Sequence, residues 1–218
     1  MEEVIKLIST YGLAIVISGL VLFFAVKFGN ILIDDFKEKR GVTTHDERVI
    51  RRNLVGAEID ALLDRMALRC NADRAYVFEF HNGNMSLGGL PFLKMTCSYE
   101  ATAPGIRPEQ HRRDNIPFHQ VQTFVDAIYA QEYLVMDTEN RTDEFKPLVY
   151  EMLEEREIKF TVRCKITSLN GKVIGYLGLD YCKGSAVTKE TAETYVAALR
   201  ETATKLGALL SVKPKGGV

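Results

Sequence analysis

The chain has 218 residues, with 28 basic and 29 acidic side chains and a formal net charge of −1, so it lacks the basic excess of a nucleic-acid footprint. Its length exceeds one ordinary domain and falls short of two. The four cysteines, Cys70, Cys97, Cys164 and Cys182, include no CxxC pair, and the last three sit in apolar, strand-like runs, the setting of buried free thiols.

Leu7 to Val26 carries no charge and is rich in Leu, Ile, Val and Phe. Twenty residues at about 1.5 Å each reach about 30 Å, the thickness of a bilayer's hydrocarbon core. The acidic flank (Glu2, Glu3) and the lack of a small-x-small site after the run favour a retained single span over a cleaved leader. Lys27, Lys37, Lys39, Arg40, Arg48, Arg51 and Arg52 follow the run, against Lys6 before it, which places the C-terminal domain in the cytoplasm. Unpaired cysteines suit that reducing side. Residues 1–40 thus read as anchor and juxtamembrane helix, 41–212 as a cytoplasmic domain and 213–218 as a flexible tail.

Thr44 and Glu47 form a capping box at the start of the next helix, whose apolar stripe is Val55, Ile59, Leu62 and Met66. Ala75 to Gly83 reads as a central strand with Tyr76, Phe78 and Phe80 on one face and Val77, Glu79 and His81 on the other. Asn84 to Pro91 has too many breakers for helix or strand, and Phe92 to Cys97 resumes extended structure. The polar stretch from Ala103 through His111, Arg112 and Arg113 reads as a surface insertion. Asp114 or Asn115 caps a helix with Pro117 in its first turn and Phe124, Val125 and Ile128 inside. Tyr133 to Met136 is a short strand, and Thr142 caps an acidic helix. Asn170-Gly171 joins two hairpin strands, 160–169 and 172–181. The turn sets Ser168 against Val173, Ile166 against Gly175, Cys164 against Leu177 and Val162 against Leu179. The hairpin's other face carries Thr161, Arg163, Lys165, Tyr176 and Asp180, with Arg163 diagonal to Asp180 and within salt-bridge reach. A final helix runs from Thr188 to Val212.

This element order, with Gly171, Gly175 and Gly178 spaced Gly-x-x-x-Gly-x-x-Gly in the hairpin, resembles a GAF domain over 44–212. The resemblance implies an α+β fold: an antiparallel sheet with flanking helices, the first and last on one face and a small-molecule cavity on the other. Here one N-terminal transmembrane helix precedes it. It also implies a homodimer through helices 44–70 and 188–212. The Asn-Lys…Phe…Asp-Glu signature of cyclic-nucleotide binders is not matched by Asn140 to Phe145, and no cysteine sits in an evident loop, as bilin-binding members require.

If the polar strand faces coincide, Glu79 and His81 meet Arg163, Tyr176 and Asp180 beside a loop carrying Asn82 and Asn84. Arg163 would then anchor an anion and Glu79 would tune His81. The expected function is a membrane-anchored sensory or binding module that recognises a small polar ligand and signals to an unidentified partner protein. One alternative is a tethered oligomerisation or interaction domain without a ligand. The other is a cysteine-dependent reductase of the GAF fold using Cys97. No enzyme motif, metal site or cofactor is expected otherwise, and His111 and His119 are too far apart to begin a metal set.

Overall fold

The computed structural model describes residues 18, 21–30, 45–85 and 91–211. The chain divides into two units, 1–48 with 213–218, and 49–212. In the first, residues 21–30 are helical, and Val21, Leu22, Phe23, Phe24, Val26 and Phe28 all expose more than half their surface. Among the described residues no helix is long and apolar enough to cross a membrane. Most of the predicted span, together with Thr44, lies outside those residues.

The second unit is one antiparallel sheet between two layers. In chain order come α1 (His45–Cys70), β1 (Arg74–Met85), β2 (Pro91–Thr102), β3 (Ile116–Pro117), α2 (Gln122–Ala130), β4 (Tyr133–Asp137), α3 (Pro147–Glu154), β5 (Ile158–Thr167), β6 (Val173–Cys182), α4 (Lys189–Glu193) and α5 (Val196–Ser211). The strand order is β3-β2-β1-β6-β5-β4, so the sequence-distant hairpin β5–β6 docks directly on β1.

Hairpin register follows the turn. Ile166 faces Gly175, Cys164 faces Leu177 and Val162 faces Leu179, as the two-residue loop dictates; a shift after Ile166 puts Thr167, not Ser168, opposite Val173. Gly171 takes φ +79°, a left-handed turn conformation that costs glycine little. One sheet face, with Val77, Val162, Ile166, Leu177 and Leu179, packs on α1 and α5; the other, with Tyr76, Phe78 and Tyr176, packs under α2, α3 and their connections. Both faces are therefore buried, and two apolar cores share one sheet.

Several boundaries differ from expectation. β1 continues to Met85 and β2 begins at Pro91, with Met85 paired to Pro91, so strand pairing overrides the breakers Asn84 and Pro91; residues 86–90 lie outside the described ones. The helix foreseen from Asp114 begins at Gln122, because Ile116 and Pro117 pair with Met95 and Lys94 on the edge of the sheet. Phe124, Val125 and Ile128 are nonetheless its buried residues. Thr142 caps no helix: its amide and hydroxyl meet the Tyr150 hydroxyl, and α3 starts at Pro147, a favoured first position. Thr188 does cap the last helical region, accepting from the Thr191 amide.

On α1, Ile59, Leu63, Met66 and Cys70 are buried while Ile50, Leu54 and Leu68 are exposed. Ile50 and Leu68 share one azimuth at about 3.6 residues per turn, and Ile59, midway between them, points the opposite way. The helix thus carries an apolar seam on its solvent side as well as its core side.

Candidate functional site

The site grows from Asp180, fully buried on β6. Its Oδ1 accepts from the Tyr76 hydroxyl at 2.8 Å, and its Oδ2 accepts from Arg113 Nη2 at 2.9 Å. Register places these groups: Tyr76 of β1 faces Gly178 and Arg163 of β5 faces the same residue from the other side, so both flank Asp180 on one sheet face. Arg113 arrives from the connection after β2, where its carbonyl accepts the Cys97 amide at 2.8 Å. Its guanidinium lies over the Tyr76 ring, 4.7 Å from the centroid. Burial pushes the Asp180 carboxyl up, but the charges of Arg113 and Arg163 and the Tyr76 hydrogen bond outweigh it and hold the group below its ordinary value.

Arg163 is placed differently. Its Nε donates to the Tyr76 hydroxyl at 3.2 Å and its Nη1 points to Met136 Sδ at 3.8 Å. Its guanidinium packs on Phe124 and Tyr176, 4.6 and 5.5 Å from their centroids. No carboxylate among the described residues forms an ion pair with it, although it is only 7% exposed. The predicted Arg163–Asp180 salt bridge is replaced by an indirect link through Tyr76, and Arg113 takes the carboxylate.

Beside Arg163 is a cavity of about 40 Å³ open to the centre of a water-sized sphere, walled by Phe78, Phe124, Ile158 and Tyr176. Arg113, Arg156 and Arg163 all line it, and no carboxylate does. Arg156 Nε is buried without a hydrogen-bond partner; Glu109 Oε2 stands 4.0 Å away and also faces Arg112, while Glu109 Oε1 faces Arg107. Burial, and then the neighbouring Arg113 charge, lower the Arg156 guanidinium from its ordinary value.

Of the residues expected at the site, Arg163, Tyr176 and Asp180 meet here, whereas Glu79, His81 and Asn82 do not. Glu79 turns to the helical layer and pairs with Arg52 of α1 at 2.6 Å. His81 Nε2 meets Thr96 Oγ1 at 2.8 Å, and Thr96 donates to Asp114. With the Thr96 proton given to Asp114, His81 is the donor. Asn82 is exposed in β1, and the Asn84 side chain lies outside the described ones. The physical reason is register: Phe78, not Glu79, shares a face with Tyr176. The surface-insertion reading of 103–113 holds for most of the stretch, which is exposed, but not for Glu109 and Arg113, which are both buried. Arg113 had no signal in the sequence, standing among Arg107, His111 and Arg112 in a run without periodicity.

All four cysteines are free and buried, as the apolar runs around Cys97, Cys164 and Cys182 implied for those three. Burial pushes the Cys97 thiol up to about 12, the opposite of an activated nucleophile. Iodoacetamide at pH 8 should therefore leave Cys97 unmodified in the folded chain and alkylate it after unfolding; rapid alkylation of the folded chain would revive the reductase alternative.

No family model matches the chain, and no curated protein does. Solved structures do resemble it. GAF3 of Slr1393 from Synechocystis sp. PCC6803, in its photoproduct state, superposes with a TM-score of 0.53 at 16% identity, over 72% of this chain and 93% of that one. The GAF domain region of a proposed membrane protein from Geobacter sulfurreducens PCA gives 0.52 at 17% identity, over 75% and 97%. A phycocyanobilin-bound GAF domain from a cyanobacterial phytochrome gives 0.51 at 14%, over 76% and 95%. At these identities the likeness is one of fold. The described domain is a GAF-like α+β domain, of the architecture found in sensory photoreceptors.

Proposed function

We propose that this chain is a membrane-anchored, cytoplasmic sensory module whose GAF-like domain binds a small polar ligand and signals to a partner protein, without catalysis. The observation that carries the reading is Arg163, a buried guanidinium beside a cavity with no carboxylate partner among the described residues. Asp180, which pairs directly with Arg113, offsets the Arg163 charge only from a distance and through Tyr76; a ligand oxyanion would supply the direct partner that a buried charge needs. An interaction domain with a vestigial cavity would be expected to fill that space with apolar side chains.

A bilin, as in the phycocyanobilin-bound GAF domain of the cyanobacterial phytochrome, is not part of the proposal. The four cysteines are buried on α1, β2, β5 and β6, and a cavity with about 40 Å³ open to the centre of a water-sized sphere is far smaller than the roughly 300–1,000 Å³ of pockets for larger ligands. The anchor rests on the uncharged run from Leu7 to Val26 and on the exposed apolar side chains of residues 21–30. A cysteine placed near residue 216 should be labelled only by reagents that reach the cytoplasm, and labelling from the other side would overturn the topology.

A homodimer is also proposed, and α1 is the surface we assign to it. Ile50, Leu54, Ala57, Ala61 and Leu68 follow alternating steps of four and three, with Asp64 at the remaining position of the seam, a coiled-coil pattern facing away from the core. Leu206, which the helix-pairing expectation would put in contact, is fully buried against its own sheet. Disulfide trapping should therefore succeed for Leu54→Cys and fail for Leu206→Cys; a strictly monomeric full chain would remove the dimer.

The ligand reading is tested by equilibrium dialysis of the full chain in detergent against a cell metabolite extract. The wild type should concentrate one class of small polar compound, and Val121→Phe, which fills the cavity, should not. Equal uptake by both would place binding elsewhere.

A further inference from the structure

We propose that the ligand of this cavity is a planar oxyanion of about three or four non-hydrogen atoms, a short carboxylate or an inorganic trigonal anion. Arg163 and Arg156 would hold its oxygens. This rests on reading the cavity as a ligand site and adds the chemistry of what fits.

Charge decides the sign. Three guanidinium groups line the space and no carboxylate does. Asp180, outside the lining, is committed to Arg113 and Tyr76, so it neutralises one of the three cations. Glu109 stands among Arg107, Arg112 and Arg156 and is shared by all of them. Arg163 has no ion-pair partner among the described residues, no described residue accepts from its Nη2, and Arg156 Nε has no acceptor. Guanidinium donors in a planar fork match a carboxylate or another trigonal oxyanion better than a neutral or cationic group. A cation would meet like charge on several sides.

Volume decides the size. About 40 Å³ open to the centre of a water-sized sphere holds a few small atoms' worth of ligand. It admits formate, acetate or nitrate and excludes a nucleotide or a tetrapyrrole in this conformation, since pockets for such larger ligands run to about 300–1,000 Å³. The remaining wall is apolar, with Ile116, Val149, Leu153 and Ile158 among its residues, so a methyl group opposite the charged end is accommodated. The Phe78 and Tyr176 rings, stacked 4.9 Å apart at 9°, make up a further part of that wall. A short apolar tail is admitted and a long one is not.

The test is thermal unfolding of the full chain in detergent with the sodium salts of formate, acetate, nitrate and butyrate at matched ionic strength, and with acetamide as the neutral match of acetate. Saturable stabilisation by acetate or nitrate, and none by butyrate or acetamide, is the expected result. A response to acetate without nitrate assigns an organic carboxylate; the reverse assigns an inorganic anion. In Arg163→Met the response should vanish. In Arg156→Gln, which keeps the proposal testable if the first variant does not fold, the dissociation constant should rise about ten- to a hundredfold, the loss expected for one charge-assisted hydrogen bond. Equal responses in wild type and variants would mark a general salt effect and overturn the inference. Stabilisation by acetamide alone would overturn the anion while leaving the cavity a ligand site; no response to any compound would also overturn the anion, and the metabolite dialysis then decides separately whether the cavity binds anything.

Discussion

Asp180→Asn should lower the free energy of unfolding by about 3–5 kcal/mol, the cost of removing one partner from a buried ion pair. Asparagine keeps the shape and loses the charge. Arg113, itself buried and lining the same cavity as Arg156, is then left with no ion-pair partner among the described residues. Denaturant unfolding of the variant measures the effect, and a loss below about 1 kcal/mol, the range of a surface pair, would contradict the geometry. The same residue sets a pH dependence. Its carboxyl is held below the ordinary value in the folded chain, so its contribution is complete above about pH 3.9, where the unfolded group titrates. That contribution is lost as pH falls through the lower folded value. Wild type should therefore lose stability more steeply below about pH 4 than Asp180→Asn does.

Arg163→Met offers the contrast. Arg163 has no ion-pair partner among the described residues and lies between Phe124 and Tyr176. Replacing it with an apolar side chain of similar length should change stability by less than about 1 kcal/mol, or raise it, because a desolvated charge is removed. Two buried cations on one sheet face would then respond differently, one built into the fold and the other held for a ligand.

Gly178→Ala should destabilise the domain by about 3 kcal/mol, the upper range for overpacking a close-fitted core. A Cβ there would stand 2.3 Å from Cζ of Tyr76 and 2.5 Å from its hydroxyl oxygen. The ring has little freedom to retreat, since it is fully buried with Arg113 on its face. Moving it would break the hydrogen bonds to Asp180 and Arg163 together, so the variant should lose ligand binding as well as stability. Gly175 is constrained by backbone instead, where a Cβ would lie 1.9 Å from the Phe78 carbonyl oxygen. The glycine spacing that marks the GAF resemblance therefore has a steric cause: two close approaches of β6 to β1 and its side chains. A Gly178→Ala variant with unaltered melting would refute that cause.

Much of the architecture was legible because it is local. Asn170-Gly171 set the hairpin register, alternation divided the faces of β1 and β5, and helical periodicity located the core side of α1 and α5. The site was less legible because it depends on how β1 meets β6. Matching polar face to polar face put Glu79 and His81 with Arg163. In the structure the aromatic face of β1 meets the polar face of the hairpin, and Tyr76 carries the hydroxyl that joins them. With both sheet faces buried, polarity along one strand does not reveal which cavity it borders. Arg113 was hidden for a related reason, since only the pairing of its connection with β2 turns it inwards.

The central claim, that the cavity is a ligand site, is tested most directly by native mass spectrometry of the full chain recovered from its own cells. One small adduct per chain, retained under gentle activation and absent from Arg163→Met, is the predicted result. A wild-type chain carrying no adduct, and taking none up from a metabolite extract, would contradict it and leave the domain as an interaction module.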